Sequence, residues 1–225
     1  MFKKIMIAAI SASFLASAAF ADSTNIGVRF SSADLSASGS ENTNLAGTNL
    51  TQKEREASFE MPSIFVERQF ETNSMLNIAV GLDFVPLTED VATLGGGDGT
   101  DAKVKAGNLI TAYIQPSISF GENISVFGKI GYAQGDLDIN DMTRQATAAE
   151  TSDTASTDLT TSKSLRGPVL GLGVQFNKDM GPFSFVRLEA TRTDFDEINH
   201  TNSNGKKLKA DAEMELVSLT IGKNF

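Results

Sequence analysis

Along much of this chain large apolar residues recur at every second position, with small or polar residues between them. A side-chain period of two describes an extended strand with one apolar and one polar face. The clearest case sets Leu76, Ile78, Val80, Leu82 and Phe84 against Asn77, Ala79, Gly81 and Asp83. The final stretch behaves alike: Val217, Leu219 and Ile221 alternate with Ser218, Thr220 and Gly222, and the sequence ends on Phe225. A strand closing a water-soluble domain is usually trailed by polar residues, so an apolar row running to the terminus points to a closing strand in lipid.

Taken in order, the pattern predicts eight strands. The first pairs Ile26, Val28 and Phe30 with Gly27, Arg29 and Ser31. The second has Ala57, Phe59, Met61, Ser63 and Phe65 as its apolar row and Ser58, Glu60, Pro62 and Ile64 opposite, a mixed face that leaves its register the least determined. After the third, Leu76 to Phe84, the fourth sets Ile110, Ala112, Ile114, Pro116, Ile118 and Phe120 against Thr111, Tyr113, Gln115, Ser117 and Ser119. Pro116 has no N–H to donate, which places it at a bulge or near the end of the paired region. The fifth alternates Ile124, Val126, Gly128, Ile130 and Tyr132 with Ser125, Phe127, Lys129 and Gly131. The sixth alternates Pro168, Leu170, Leu172, Val174 and Phe176 with Gly167, Val169, Gly171, Gly173 and Gln175. In the seventh, Val186, Leu188 and Ala190 alternate with Arg187, Glu189 and Thr191, and the closing strand is the eighth.

The connections alternate in length. Long segments rich in Ser, Thr, Asn, Asp and Gly lie at about 31–52, 86–105, 134–163 and 194–207, and short ones at 70–74, 121–123 and 177–182. Barrels of the bacterial outer membrane show this rhythm, with short periplasmic turns and longer external loops. The apolar rows are close to the roughly 9–11 residues that a tilted strand needs to cross hydrocarbon. Only a closed barrel satisfies every backbone donor and acceptor in lipid. The expected fold of residues 22–225 is therefore all-β, an eight-stranded antiparallel up-and-down transmembrane β-barrel.

Residues 1–21 are of another kind. Lys3 and Lys4 precede an apolar run broken by Ser11, Ser13 and Ser17, which ends in Ala19-Phe20-Ala21. This is the layout of a cleaved secretory signal peptide, too short and interrupted to anchor as a helix. Removing it takes away two lysines and no acid, leaving 17 basic against 28 acidic residues, a net charge of −11. Nucleic acid is excluded as a partner by that balance. The chain has no cysteine, so an exported fold without disulfides must rely on its ladder and on lipid.

With the large apolar rows facing lipid, the opposite faces collect Arg29, Lys129 and Arg187 with Glu60, Asp83 and Glu189. Three bases and three acids can neutralise one another, and an eight-stranded barrel is just wide enough for side chains to fill it. The expectation is a plugged lumen. A soluble barrel of inverted polarity would put six charges in its cavity or leave large apolar rows in water. Phe30, Phe65, Phe84, Phe120, Tyr132, Phe176 and Phe225 fall at strand ends, where aromatic girdles belong.

The segments I-S-V-F-G-K-I-G-Y-A-Q-G (Ile124 to Gly135), G-L-G-V-Q-F-N (Gly171 to Asn177) and F-S-F-V-R-L-E-A-T-R-T-D-F (Phe183 to Phe195), with the terminal Phe225, resemble a known family. It is that of the small outer-membrane barrels, which includes the OmpA transmembrane domain, OmpX and the opacity-type adhesins. The resemblance implies a place in the cell outer membrane and contact with its lipid and lipopolysaccharide. It also implies that Val217, Leu219, Ile221 and Phe225 form the signal read by the barrel-assembly machinery. Lys223 stands where that signal commonly has an apolar residue, and Glu213 and Glu215 share the parity of Val217. Either the upper strand stands clear of the membrane or a bulge switches its faces. With nothing after Phe225, no peptidoglycan-binding domain is expected.

Some relatives of this size are lipid A deacylases or acyltransferases, so candidate chemistry matters. The single histidine, His200, falls in the segment 194–207 with Ser203 three positions on, whereas the deacylase pattern puts serine two positions away, where Asn202 stands. No orienting acid is fixed beside it, and a solvated loop histidine is expected. Asp136-x-Asp138-x-Asn140 opens like a calcium loop, but Asp141 replaces the required glycine and Thr147 the closing glutamate. Gly95-Gly96-Gly97-Asp98-Gly99 lacks the flanking strand and helix of a phosphate loop and reads as a loop tip. No catalytic residue, metal site or cofactor is expected. The expected function is that of a monomeric, non-enzymatic structural or surface-interaction barrel, with a small porin-like channel as the alternative and an adhesin acting through the outer loops as a third.

Overall fold

The computed structural model describes residues 23–42, 50–71, 75–86, 89–95, 101–141, 159–201 and 207–225. They form β1 (Ser23–Asn42), β2 (Leu50–Glu71), β3 (Leu76–Val85), β4 (Glu89–Gly95), β5 (Asp101–Phe120), β6 (Ile124–Asp141), β7 (Leu159–Asn177), β8 (Phe185–Thr201) and β9 (Lys207–Asn224). Every neighbour is antiparallel. β3 lies along Leu109–Ile118 of β5 and β4 along its earlier part, so the two are one crossing interrupted after Val85. The sheet runs β3-β2-β1-β9-β8-β7-β6-β5, and the β3–β5 pairing closes it into an eight-stranded barrel. At the seam Thr24 N–H donates to the Phe225 carbonyl at 2.9 Å, and Phe225 N–H donates to the Thr24 carbonyl at 2.8 Å.

The turns at one end are tight. Gly121 (φ 70°) and Gly181 (φ 78°) sit in the left-handed region that glycine enters at no steric cost, and the Asp179 carboxylate accepts from Gly181 N–H at 3.0 Å. Asn108 (φ 50°) occupies the β5 bulge between Gly107 and Ile110. Pro116 sits at neither a bulge nor an end. It lies mid-crossing, exposed on the outside, and the ladder to β6 passes from Ile114 to Ser117 without a change of register.

Two further expectations are corrected. The segments read as long loops carry strand at their ends: β1 continues to Asn42 and β2 begins at Leu50, β4 and the start of β5 occupy much of 86–105, β6 reaches Asp141 and β7 begins at Leu159, and β8 reaches Thr201. Above the lipid no apolar row marks the outside, so strands there carry little period-two contrast although their ladders continue. Residues 1–22, which include the expected signal peptide 1–21, lie outside the described residues, as do 43–49, 72–74, 87–88, 96–100, 142–158 and 202–206.

The second correction concerns β2. Met61, Ser63 and Phe65 are buried in the lumen, whereas Ile64 is 54% exposed on the outside and Glu60 is exposed. The ladder dictates it: Ile64 lies opposite Val28 and Phe65 opposite Gly27, and directly opposed residues share a face. Phe65 accordingly leaves the aromatic girdle, while Phe30, Phe120, Tyr132, Phe176 and Phe225 stay exposed outside and Phe84 is half-buried.

Candidate functional site

The lumen is layered. At the turn-bearing end a bowl of about 270 Å³ is walled by the carboxamides of Asn25, Gln69, Asn77, Gln115, Gln175, Asn177 and Asn224 and by serine hydroxyls. Its residues lie toward the turn-bearing ends of the strands, where most inward positions are polar. Many of them hold one another: Asn224 donates to the Asn25 oxygen at 2.8 Å, and Gln175 to Asn177 at 2.7 Å.

Above the bowl the lumen is closed by charge. Arg187, from β8, grips Glu67 of β2 through two hydrogen bonds, Nη2 to Oε1 at 2.8 Å and Nη1 to Oε2 at 3.2 Å. Glu67 also accepts from the Asn25 amide and the Tyr113 hydroxyl, each at 2.9 Å. Arg187 further donates to Gln175 at 2.6 Å. Lys129 donates to both oxygens of Glu189 at 2.5 and 2.6 Å, and Arg29 reaches Asp83 at 2.7 Å, with its other nitrogen 3.8 Å from Glu189. Three cations meet three carboxylates, all buried. Buried ions are costly unless paired and hydrogen-bonded, and here each charge has a partner of opposite sign.

Aromatic rings pack the space between the ions. The Arg187 guanidinium lies 5.0 Å from the Phe127 ring centre, 5.1 Å from Phe185 and 5.6 Å from Phe65, and the Lys129 ammonium is 4.4 Å from Tyr113. These distances suit cation–π attraction. Each ring lies against a glycine directly opposite on the next strand. A Cβ on Gly81 would stand 2.4 Å from the Tyr113 ring, and one on Gly173 2.3 Å from the Phe127 ring. Gly27 and Gly222 make room in the same way for Phe65 and Phe185.

Beyond a layer of hydroxyls, where Ser31 and Ser218 share a hydrogen bond of 2.8 Å, the lumen turns apolar. Ala33, Met61, Val85, Ala133, Leu165, Val169, Phe195 and Met214 form a buried cluster, with Leu35, Phe59, Leu109, Ile198, Ala212 and Leu216 packed on it. The outside changes at the same height, from Val217 and Ala190 to Glu215, Arg192 and Asp34, all exposed. Arg192 lies 2.5 Å from Glu213, 3.1 Å from Asp194 and 3.7 Å from Glu215, and the hydrogen bond to Asp194 is the main cause holding its guanidinium pKa above the ordinary value. Further out, hydrogen bonds from Asn199 and then Lys209 hold the Glu197 carboxyl below the usual range.

The structure thus brings Arg29, Asp83, Lys129, Arg187 and Glu189 together and leaves Glu60 outside. Glu67, two positions below Phe65 on the inward row, is the third acid. The sequence reading stopped its second strand at Phe65; carrying the alternation through Val66 to Arg68 would have exposed both the residue and the register. Val217, Leu219 and Phe225 are exposed on the outer wall and Ile221 is half-buried, while Lys223 donates to the Gly181 carbonyl at 3.0 Å at the turn rim. Glu213 and Glu215 sit above the apolar belt, so the upper part of β9 stands clear of the membrane without switching faces.

Of the candidate chemistry, His200 lies in β8 opposite Leu208, and its side chain and Ser203 lie outside the described residues. Asp136 and Asp138 are strung along β6, and Asp138 accepts from Ser162 at 2.5 Å; a ladder of this kind cannot wrap an ion as a calcium loop does. Gly95 ends β4, and 96–100 lie outside the described residues.

A closed barrel that is apolar outside and charged within defines a transmembrane β-barrel, because only this arrangement satisfies both lipid and backbone. The chain belongs to the family of the outer membrane protein beta-barrel domain, whose model matches residues 6–213, and it is a small β-barrel protein of the cell outer membrane. No curated protein matches it in sequence. Among solved structures it is similar to Ail, the attachment invasion locus protein of Yersinia pestis, in complex with the heparin analogue sucrose octasulfate (11% identity over 87% of this chain and 98% of that one, TM-score 0.36). It is similar also to neisserial surface protein A (12% identity, 88% and 97% covered, TM-score 0.40) and to the outer membrane protease OmpT of Escherichia coli (9% identity, 89% and 97% covered, TM-score 0.42).

Proposed function

We propose that this protein is a non-enzymatic, monomeric barrel that does not conduct and that serves the outer membrane as a structural and surface-interaction element. The observation that carries this reading is the matched set of Arg29, Lys129 and Arg187 with Glu67, Asp83 and Glu189, which fills the lumen at mid-height. Each carboxylate is committed to a cation, and Ser63, which donates to Asp83 at 3.2 Å, faces a carboxylate already paired with Arg29. A hydroxyl becomes a nucleophile only with a base free to take its proton. In this reading the lipid-facing wall meets phospholipid and lipopolysaccharide, the β9 row Val217, Leu219, Ile221 and Phe225 is what the assembly machinery reads, and the strands above the lipid present the protein to its surroundings. Planar-bilayer recording of the purified protein tests it. A silent bilayer is expected, and steady conductance steps favour the small-channel alternative.

A further inference from the structure

The two faces of the barrel exchange polarity at one height. Below it the wall is apolar outside and polar inside; above it the wall is charged outside and apolar inside. We infer that the apolar layer at the outer end of the lumen is a permeability barrier in its own right, sufficient to keep the barrel closed when the charged plug beneath it is removed. The inference rests on the plugged-lumen reading and goes further by adding a second seal above the ion pairs.

Three observations carry it. First, all eight crossings contribute to the layer. Met61, Val85, Leu109, Val169, Phe195 and Met214 come from β2, β3, β5, β7, β8 and β9, and Ala33 and Ala133 supply β1 and β6. It therefore draws on the whole circumference of the wall. Second, the charged layer adjoins the polar bowl, whose walls include Glu67, Gln115, Gln175 and Arg187 themselves. Donors and acceptors run without a break from the bowl into the ion pairs, so an entering ion or water meets groups able to exchange partners with it. In the apolar layer it meets hydrocarbon side chains with the Thr193 hydroxyl between Val169 and Met214, and hydrophobic constrictions close pores by excluding water. Third, the space between the layers, bounded by Arg29, Lys129 and Glu189 on one side and Met61, Val85 and Met214 on the other, is only about 20 Å³. That is room for about one water, so no aqueous path continues upward.

The test is planar-bilayer recording of three proteins, each shown to be folded by heat-modifiable mobility. They are the wild type, a charge-layer variant (Glu67→Ala, Lys129→Ala, Arg187→Ala, Glu189→Ala), and the same variant with Met61→Ser and Met214→Ser added. The first two are expected to be silent, and the third to show conductance steps at least tenfold above the noise. Should the serine version fail to fold, Met61→Gln with Met214→Gln keeps the side-chain volume and serves in its place. Conductance by the charge-layer variant alone overturns the inference, because removing ion pairs would then suffice to open the lumen. Silence from the folded third protein overturns it as well. Conductance by the wild type removes the plugged-lumen reading itself, and this inference with it.

Discussion

Arg187 and Glu67, 120 residues apart in sequence, meet across the lumen in a two-pronged ion pair, each side chain only 1% exposed. In the sheet β1 and β9 stand between their strands, so the pair spans the interior and does not run along the wall. The bond needs the barrel closed, which makes it a reporter of the native lumen.

Breaking this pair from one side should therefore be expensive. Glu67→Ala leaves a buried guanidinium without its carboxylate and should destabilise the barrel by about 3–5 kcal/mol. Replacing both partners with residues of similar volume, Glu67→Gln with Arg187→Met, should cost far less than Glu67→Ala alone. Urea unfolding in lipid vesicles, run as a double-mutant cycle, checks the difference.

The same measurement tests the register of β2. Glu60→Ala, on the exposed face, should change stability by less than about 0.5 kcal/mol. A large loss at Glu60 and none at Glu67 would mean that β2 is turned over, with the row Glu60, Pro62 and Ile64 inside.

The glycine-backed rings give a third expectation. In Gly173→Ala the new methyl would sit 2.3 Å from the Phe127 ring and 2.4 Å from the Leu188 carbonyl oxygen. Overpacking of this kind costs about 1–3 kcal/mol. Phe127→Leu should recover part of the loss in the double variant, since it removes the ring that the methyl strikes; additive losses would show that the two positions do not touch.

On the outer wall, Leu172 is 69% exposed in the middle of the apolar belt. Leu172→Arg should cost about 2–4 kcal/mol in vesicles, the range for a cation at the bilayer midplane. Glu213→Arg, above the belt, should cost under about 1 kcal/mol, and equal costs at the two sites would contradict the placement of the membrane.

The sequence made the membrane half of the molecule readable where a strand has lipid on one side and ions on the other. β3, β5, β6, β7, β8 and β9 show their outward rows directly, because Ile, Leu, Val and Phe stand against Asp83, Gln115, Lys129 or Arg187. β2 misled for a physical reason. Its Phe59 and Met61 face the apolar layer of the lumen and its Ile64 faces lipid, so large apolar residues occupy both parities. The strands above the lipid hid differently: with water outside, Ser, Thr and Asn suit them as well as they suit loops, and composition alone does not separate the two. The apolar layer was visible only once closure brought Met61, Val85, Val169 and Met214 together.

The central claim is that the wall faces lipid below the polarity exchange and water above it. Because the chain has no cysteine, single cysteines can carry spin labels without interference. Labels at Ile130, Leu172 and Val217 and at Asp34 and Glu215, in vesicles, should divide cleanly. The first three should relax with oxygen dissolved in the bilayer and resist a water-soluble nickel reagent, and the last two should do the reverse. Nickel access at Ile130 and Leu172 equal to that at Glu215 would contradict the account.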